Sequence, residues 1–187
     1  MNRILPLALA LLALPVVVHA QGQSGLSVYV QPSVVGVALG SNLKDAAGGS
    51  IVVGVSFLGP HSIEADFTSF DTDAKGDSTD TYKFEQYLAT YKYEFSKGGN
   101  LAFHLGGSVG VTEERHDFVI DYMLPFGAVA YHLSDNAFTY GVQGDVTYRF
   151  NRNIGVILGA KILGLSQSTI TTGGSMTLLT LGLNFRF

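Results

Sequence analysis

The sequence predicts an all-β fold, an antiparallel transmembrane β-barrel of eight strands with short periplasmic turns and longer extracellular loops. Three observations carry this: an export signal at the N-terminus, hydrophobic alternation at period two with no helical spacing, and mid-strand charges confined to one face.

The signal comes first in the chain. Residues 1–20, MNRILPLALALLALPVVVHA, carry one positive charge at Arg3, an apolar run from Ile4 to Val18, and the small-residue pattern Val18-His19-Ala20 before Gln21. That is the layout of a cleavable secretory signal, with cleavage after Ala20. The apolar run is shorter than the roughly 20 residues of a spanning helix, and Pro6 and Pro15 interrupt it. One domain is expected to follow, from 21 to 187.

Composition narrows the class. The chain is 47% hydrophobic and only 14% charged, whereas soluble domains carry about 25% charged residues. With Arg3 removed, ten basic residues face 15 acidic ones, a net charge of −5 that excludes nucleic acid as a partner. There is no cysteine, so neither a disulfide framework nor a thiolate site is available.

Alternation places the strands at roughly 26–39, 50–58, 62–70, 82–95, 101–112, 138–150, 154–167 and 175–187. The last shows the pattern well: Leu179, Leu181, Leu183, Phe185 and Phe187 point one way, and Leu178, Thr180, Gly182, Asn184 and Arg186 the other. In the sixth, Phe138, Tyr140, Val142, Val146, Tyr148 and Phe150 oppose Thr139, Gln143, Asp145, Thr147 and Arg149. Tight connections at Gly59-Pro60-His61, at 96–100 (SKGGN) and at Asn151-Arg152-Asn153 alternate with longer polar ones. An even strand count then leaves both termini periplasmic. The segment from Glu113 to Ala137 is the longest connection, and a further hairpin within it would make ten strands. Its alternation over Phe118, Ile120 and Tyr122 suggests strands that extend above the membrane and a protruding edge.

Charge parity separates a membrane barrel from a soluble sandwich. Glu64, Asp66, Lys92, Glu94, Asp145, Arg149, Lys161 and Arg186 lie mid-strand and share their face with small or polar neighbours, and the opposite face carries no charge there. The polar face must be the enclosed one, because a charge facing hydrocarbon costs several kcal/mol. Lys83, Glu85 and Glu113 have outward parity but lie near the extracellular ends. Phe57, Phe95, Tyr148, Phe150, Phe185 and Phe187 are expected to form one interfacial girdle, and Phe67, Phe84, Tyr87 and Tyr140 the other.

The run Phe138 to Phe150 leading into the Asn151-Arg152-Asn153 turn, the stretch SKGGNLAFHLGGSVGV and the closing strand ending on Phe187 resemble the OmpA, OmpX and opacity-protein type of outer-membrane β-barrel domain. The resemblance covers 21–187 and implies a barrel alone, without the peptidoglycan-binding domain of full-length OmpA proteins. It also implies that Phe187 is read by the outer-membrane assembly machinery.

The candidate interior set is Glu64, Asp66, Glu94 and Asp145 against Lys92, Arg149, Lys161 and Arg186, with His104 also inward. An eight-stranded barrel is just wide enough for side chains to fill. Balanced charges in that space predict a paired, structural plug rather than a pore. The acidic stretch DTDAKGDSTDT puts Asp71, Asp73, Asp77 and Asp80 together with Gly76 sixth, as in a calcium loop, but Lys75 and Tyr82 occupy ligand positions. No metal site is expected, and no cofactor. His132-Leu133-Ser134 is similar to the His-x-Ser pair of lipid A deacylases, yet no Glu follows Ser134. The expected role is therefore non-enzymatic: an outer-membrane scaffold presenting loops for adhesion, host interaction or envelope integrity. A narrow porin-like channel for small or apolar solutes is the alternative, and lipid A deacylation a remote one. Partners expected are outer-membrane lipid and lipopolysaccharide, the assembly machinery, and an extracellular ligand of the loops.

Overall fold

A computed structural model describes residues 25–39, 43–75, 81–95, 99–122, 127–167 and 174–187, with the side chains of 119–130 excepted. The signal segment, Asp77 and Asp80 of the acidic loop, and Met123 and Phe126 lie outside the described residues.

Eight strands form: β1 (Ser27–Leu39), β2 (Ala46–Phe57), β3 (His61–Asp73), β4 (Thr81–Glu94), β5 (Leu101–Tyr122), β6 (Gly127–Arg149), β7 (Ile154–Leu165) and β8 (Gly174–Arg186). Each pairs antiparallel with its sequence neighbours, and β1 pairs with β8 to close the barrel. Closure leaves no edge within the wall, which is what allows strands to cross hydrocarbon. The β2–β3 turn sits one residue earlier than the sequence suggests: Leu58 and Gly59 take positive φ (49° and 81°), and His61 already pairs with Phe57.

Outward residues are apolar over a band of limited height. On β5 they run from Leu101 through Phe103, Leu105 and Val109 to Val111, and on β4 from Tyr93 through Tyr91 to Tyr87. Ten steps of about 3.3 Å, at the usual tilt near 45°, span about 23 Å, close to the apolar band of a membrane barrel. The next outward residues are Glu85 and Lys83 on β4 and Glu113 and Arg115 on β5.

The interior has two layers. Toward the end that carries the short turns, all eight mid-strand charges and His104 face the lumen. Toward the end that carries the long connections, Val35, Val37, Leu39, Leu43, Phe70, Phe84, Leu88, Leu163, Met176 and Leu178 form an apolar cluster, with the buried Glu114 opposite Phe84. This corrects the expectation of a wholly polar inner face. Phe84 in particular is not in a girdle: it points inward, is 2% exposed, and stacks on Phe70 with ring centroids 5.0 Å apart. Hydroxyl and amide groups separate the layers, with Gln86 donating to Thr112 Oγ1 at 3.3 Å and Thr112 meeting Thr139 at 2.7 Å.

The longest connection is largely strand: the fifth and sixth strands run past the expected limits at 112 and 138, as the alternation over Phe118, Ile120 and Tyr122 suggests. β5 and β6 are 22 and 23 residues long, against 12 to 14 for the others, and pair without a break from Leu101↔Tyr148 to Tyr122↔Gly127. The hairpin adds no strand, so the barrel has eight rather than ten. Among the described residues, pairing with β4 extends to Thr81↔Asp117 and with β7 to Thr139↔Leu165, and two further bonds join Ser166 N to the Phe138 carbonyl and Phe138 N to Ser166 Oγ. Among the described residues, β5 and β6 pair beyond those points only with each other, as a two-stranded ribbon. From Ala137 to Gly127 its β6 edge runs roughly 33 Å at about 3.3 Å per residue.

Candidate functional site: the lumen and the ribbon

Five of the lumen charges, Glu64, Lys92, Asp145, Glu94 and Arg149, join with His104 into one chain of contacts that crosses the barrel. Lys92, 4% exposed, is held between Glu64 Oε1 at 2.8 Å and Asp145 Oδ2 at 2.7 Å. Tyr29 donates to Glu64 Oε1 at 2.7 Å, and Gln143 Nε2 to Glu64 Oε2 at 3.4 Å. On the other side, His104 Nδ1 meets Asp145 Oδ1 at 2.7 Å and Nε2 faces Glu94 Oε2 at 3.5 Å. Glu94 in turn accepts from Arg149 Nη2 at 2.8 Å. A second group forms around Asp66, which pairs with Lys161 and accepts from Ser50 at 3.0 Å and Thr68 at 3.1 Å.

Strand register explains why these groups reach each other. Tyr29 lies opposite Gly54, where a Cβ would collide with the phenol ring. The missing side chain lets that ring lie flat along the wall with its hydroxyl on Glu64. His104 and Asp145 are direct cross-strand partners on β5 and β6, and Glu94 is His104's partner on β4. Arg186 is the exception: its guanidinium lies 5.9 Å from the Tyr29 ring centroid, and among the described residues it makes no ion pair. Phe187 is outward and exposed, with its backbone N bonded to the Val28 carbonyl at 2.8 Å.

The arrangement fills the lumen. Its charged side chains are held by their partners across the path, and the apolar layer beyond would force an ion to shed its water, which is very costly in a low-dielectric space. Sequence reasoning missed that layer. Its signal was nonetheless present, since Phe84 shares parity with Lys92, Phe70 with Glu64, and Leu163 with Lys161.

Outside, four charged groups mark the rim of the apolar band. Glu85 and Glu113 face each other across β4 and β5, an arrangement that would repel. Arg115 offsets this at 2.6 Å from Glu113 and 3.6 Å from Glu85, and Lys83 lies 3.1 Å from Glu85. Partial burial pushes the Glu85 carboxyl up, but the Lys83 hydrogen bond and the Arg115 charge outweigh it and hold the group below the ordinary carboxylate range.

Along the ribbon face that continues the lumen side, rings stack in series: Tyr82 on His116 at 4.1 Å, His116 on Phe118 at 4.7 Å, and Phe118 on Tyr131 at 5.3 Å. On the other face His132, 75% exposed, bonds Asp117 Oδ1 through Nδ1 at 2.6 Å. Among the described residues no hydrogen bond joins His132 to Ser134, and Ser134 sits opposite Arg115, which is tied to Glu113. An exposed, unactivated hydroxyl is a poor nucleophile. Of the acidic loop, Asp73 is paired with Lys44 at 3.3 Å, and no cluster of metal-ligand side chains occurs among the described residues.

An apolar outer band around a closed, filled lumen defines an eight-stranded β-barrel of the outer-membrane type. No protein-family model matches the chain, and no curated protein matches it in sequence. Solved structures share the fold. The chain is similar to a major outer membrane protein from Thermus thermophilus, with a TM-score of 0.63 and 12% identity over 85% of this chain and 99% of that one. It is similar to Neisserial surface protein A (0.61, 16% identity, 88% and 98% covered). A third is Ail, the attachment invasion locus protein of Yersinia pestis (0.58, 15% identity, 88% and 100% covered), which has also been solved with the heparin analogue sucrose octasulfate.

Proposed function

We propose that this chain is an integral outer-membrane protein whose barrel is a closed anchor and whose working part is the β5–β6 ribbon. In this reading residues 1–20 are the removed export signal, both termini are periplasmic, and Phe187 at the end of β8 is presented to the assembly machinery. The ribbon then rises on the extracellular side as a non-enzymatic surface for adhesion or host contact. Glu64, Asp66, Lys92, Glu94, His104, Asp145, Arg149, Lys161 and Arg186 serve as a structural network that fills the barrel.

The single observation that carries this is the length of β5 and β6, which pair with each other well past the last described pairing of either with β4 or β7. Strand residues outside the membrane do nothing for the barrel's own closure. The ribbon's chemistry also limits its partner. From 117 to 135 it carries Asp117, Asp121 and Asp135 and no Lys or Arg. A sulfated polyanion such as the heparin analogue bound by Ail would be repelled, so a basic or aromatic-accepting protein surface fits better.

Two measurements test the proposal. Purified barrel in planar bilayers is expected to show no stable conductance, and a steady current through the unaltered protein would favour the channel instead. Replacing residues 116–133 by a short Asn-Gly turn is expected to preserve heat-modifiable gel migration while abolishing adhesion of cells that display the protein. Adhesion undiminished by the replacement would overturn the ribbon's role.

A further inference from the structure

We infer that the ring-bearing face of the β5–β6 ribbon docks a cationic amphipathic peptide, an inference that rests on the ribbon being the protein's working part. The partner is a segment that is apolar along one side and carries lysine or arginine along the other.

Charge is distributed unevenly between the two ends of the barrel. Of the 15 acidic residues, Glu64, Asp66, Glu94 and Asp145 belong to the lumen network, and the other eleven all lie in or beside the long connections, at 45, 71–85 and 113–135. Four bases share that end, Lys44, Lys75, Lys83 and Arg115, which leaves it a net charge of −7. Lys44, Lys83 and Arg115 are each already paired with an acid, at 3.3, 3.1 and 2.6 Å. The turns at the opposite end carry Lys97 and Arg152 and no acid. A field of one sign over one end concentrates ligands of the opposite sign and speeds their encounter.

The contact surface is a separate feature of the same end. Tyr82, His116, Phe118 and Tyr131 stack in one row along the face that continues the lumen side. Leu133 lies opposite His116 on that face and is 50% exposed, and Tyr131 is 37% exposed. Rings and a leucine exposed together offer burial to apolar side chains, and ring faces also attract a cation. Field and rings together select the partner. An uncharged apolar ligand would gain nothing from the field, while a second copy of this chain or an anionic lipid headgroup would be repelled by it. A bare metal ion would leave the rings unused and finds no cluster of ligand side chains among the described residues. A peptide with one apolar and one basic side uses both features.

The probe is a labelled synthetic Leu/Lys amphipathic peptide, titrated by fluorescence anisotropy against the full barrel in nanodiscs of zwitterionic lipid. Empty discs and a Leu/Glu peptide with the same apolar side are the controls. Saturable binding of the Leu/Lys peptide alone is expected, weakening as salt is raised. Asp117→Asn, Asp121→Asn and Asp135→Asn together should weaken it about tenfold and flatten the salt dependence. Leu133→Ser should weaken it about fivefold with the salt dependence kept. Binding no tighter than to empty discs, equal binding of the Leu/Glu peptide, or a Kd unchanged in both variants would each overturn the inference. So would equal binding to the barrel whose residues 116–133 are replaced by a short turn, whereas adhesion by cells carrying that same replacement decides the ribbon's role separately. Should Leu133→Ser disturb the ribbon, the triple asparagine variant and the Leu/Glu peptide decide it.

Discussion

Lys92→Met is expected to lower the stability of the folded barrel by about 3–5 kcal/mol, the range for breaking a buried ion pair from one side. Lys92 is the hub of the lumen: its ammonium lies within 2.8 Å of Glu64 and 2.7 Å of Asp145, and all three are buried. Methionine keeps the volume and removes the charge. Two carboxylates are then left facing each other across a narrow, low-dielectric space, and neither can reach bulk water. The loss should be read from urea unfolding of the lipid-reconstituted barrel, followed by gel mobility without boiling. Adding Glu64→Gln and Asp145→Asn to the same chain should recover more than half of it, because the cost lies in the uncompensated charges rather than in the lysine's packing. A single-variant loss under about 1 kcal/mol, the level of an exposed pair, would show that water reaches these groups.

Gly110→Ala is expected to be more damaging still, above about 4 kcal/mol or enough to prevent the compact heat-resistant form altogether. Gly110 faces the lumen opposite Leu88, and a Cβ there would overlap the Tyr87 carbonyl oxygen and sit 2.9 Å from the Leu88 Cα. Both are backbone atoms of the neighbouring strand, so relief requires opening the β4–β5 ladder at the centre of the wall. Gly107, three residues earlier and outward, supplies the control. Its Cβ would find only an ordinary contact, the Gly141 carbonyl at 3.8 Å. Gly107→Ala should fold like the parent chain. Equal folded yields for the two variants would mean that the wall is less tightly coiled than the structure shows.

The contrast between Gly110 and Gly107 also shows what kind of information a sequence carries. Both are glycines in one apolar strand, and parity tells which faces inward. Nothing local tells which is pressed against a neighbouring backbone, because that depends on the coiling of a closed wall. Phe84 makes the complementary point. Its parity with Lys92 is readable, eight residues away on one strand, but an aromatic near a strand end fits the lipid interface equally well by composition. The apolar half of the lumen is hidden for the same reason: alternation reports two faces, and only closure says which apolar side chains meet across the space. In the ribbon, the alternation of Phe118, Ile120 and Tyr122 marks β5 as long. The facing stretch from Gly127 to Ala137 mixes small and polar residues, and its strand character comes from pairing with β5 rather than from its own pattern.

The sequence by itself determined the period of the strands, the face on which each charge lies, and hence an apolar outside around an enclosed polar set. Those properties follow from the two-residue repeat of a strand, which is local. Tertiary structure alone decided the partners. Lys161 meets Asp66 from 95 residues away, and Arg149 meets Glu94 from 55. Such pairs exist only once β1 joins β8 and brings strands face to face across the lumen. The same closure determined that Lys92 is shared, that Arg186 is left without a carboxylate, and that the longest connection is a ribbon, since each depends on which strands run out of neighbours and where.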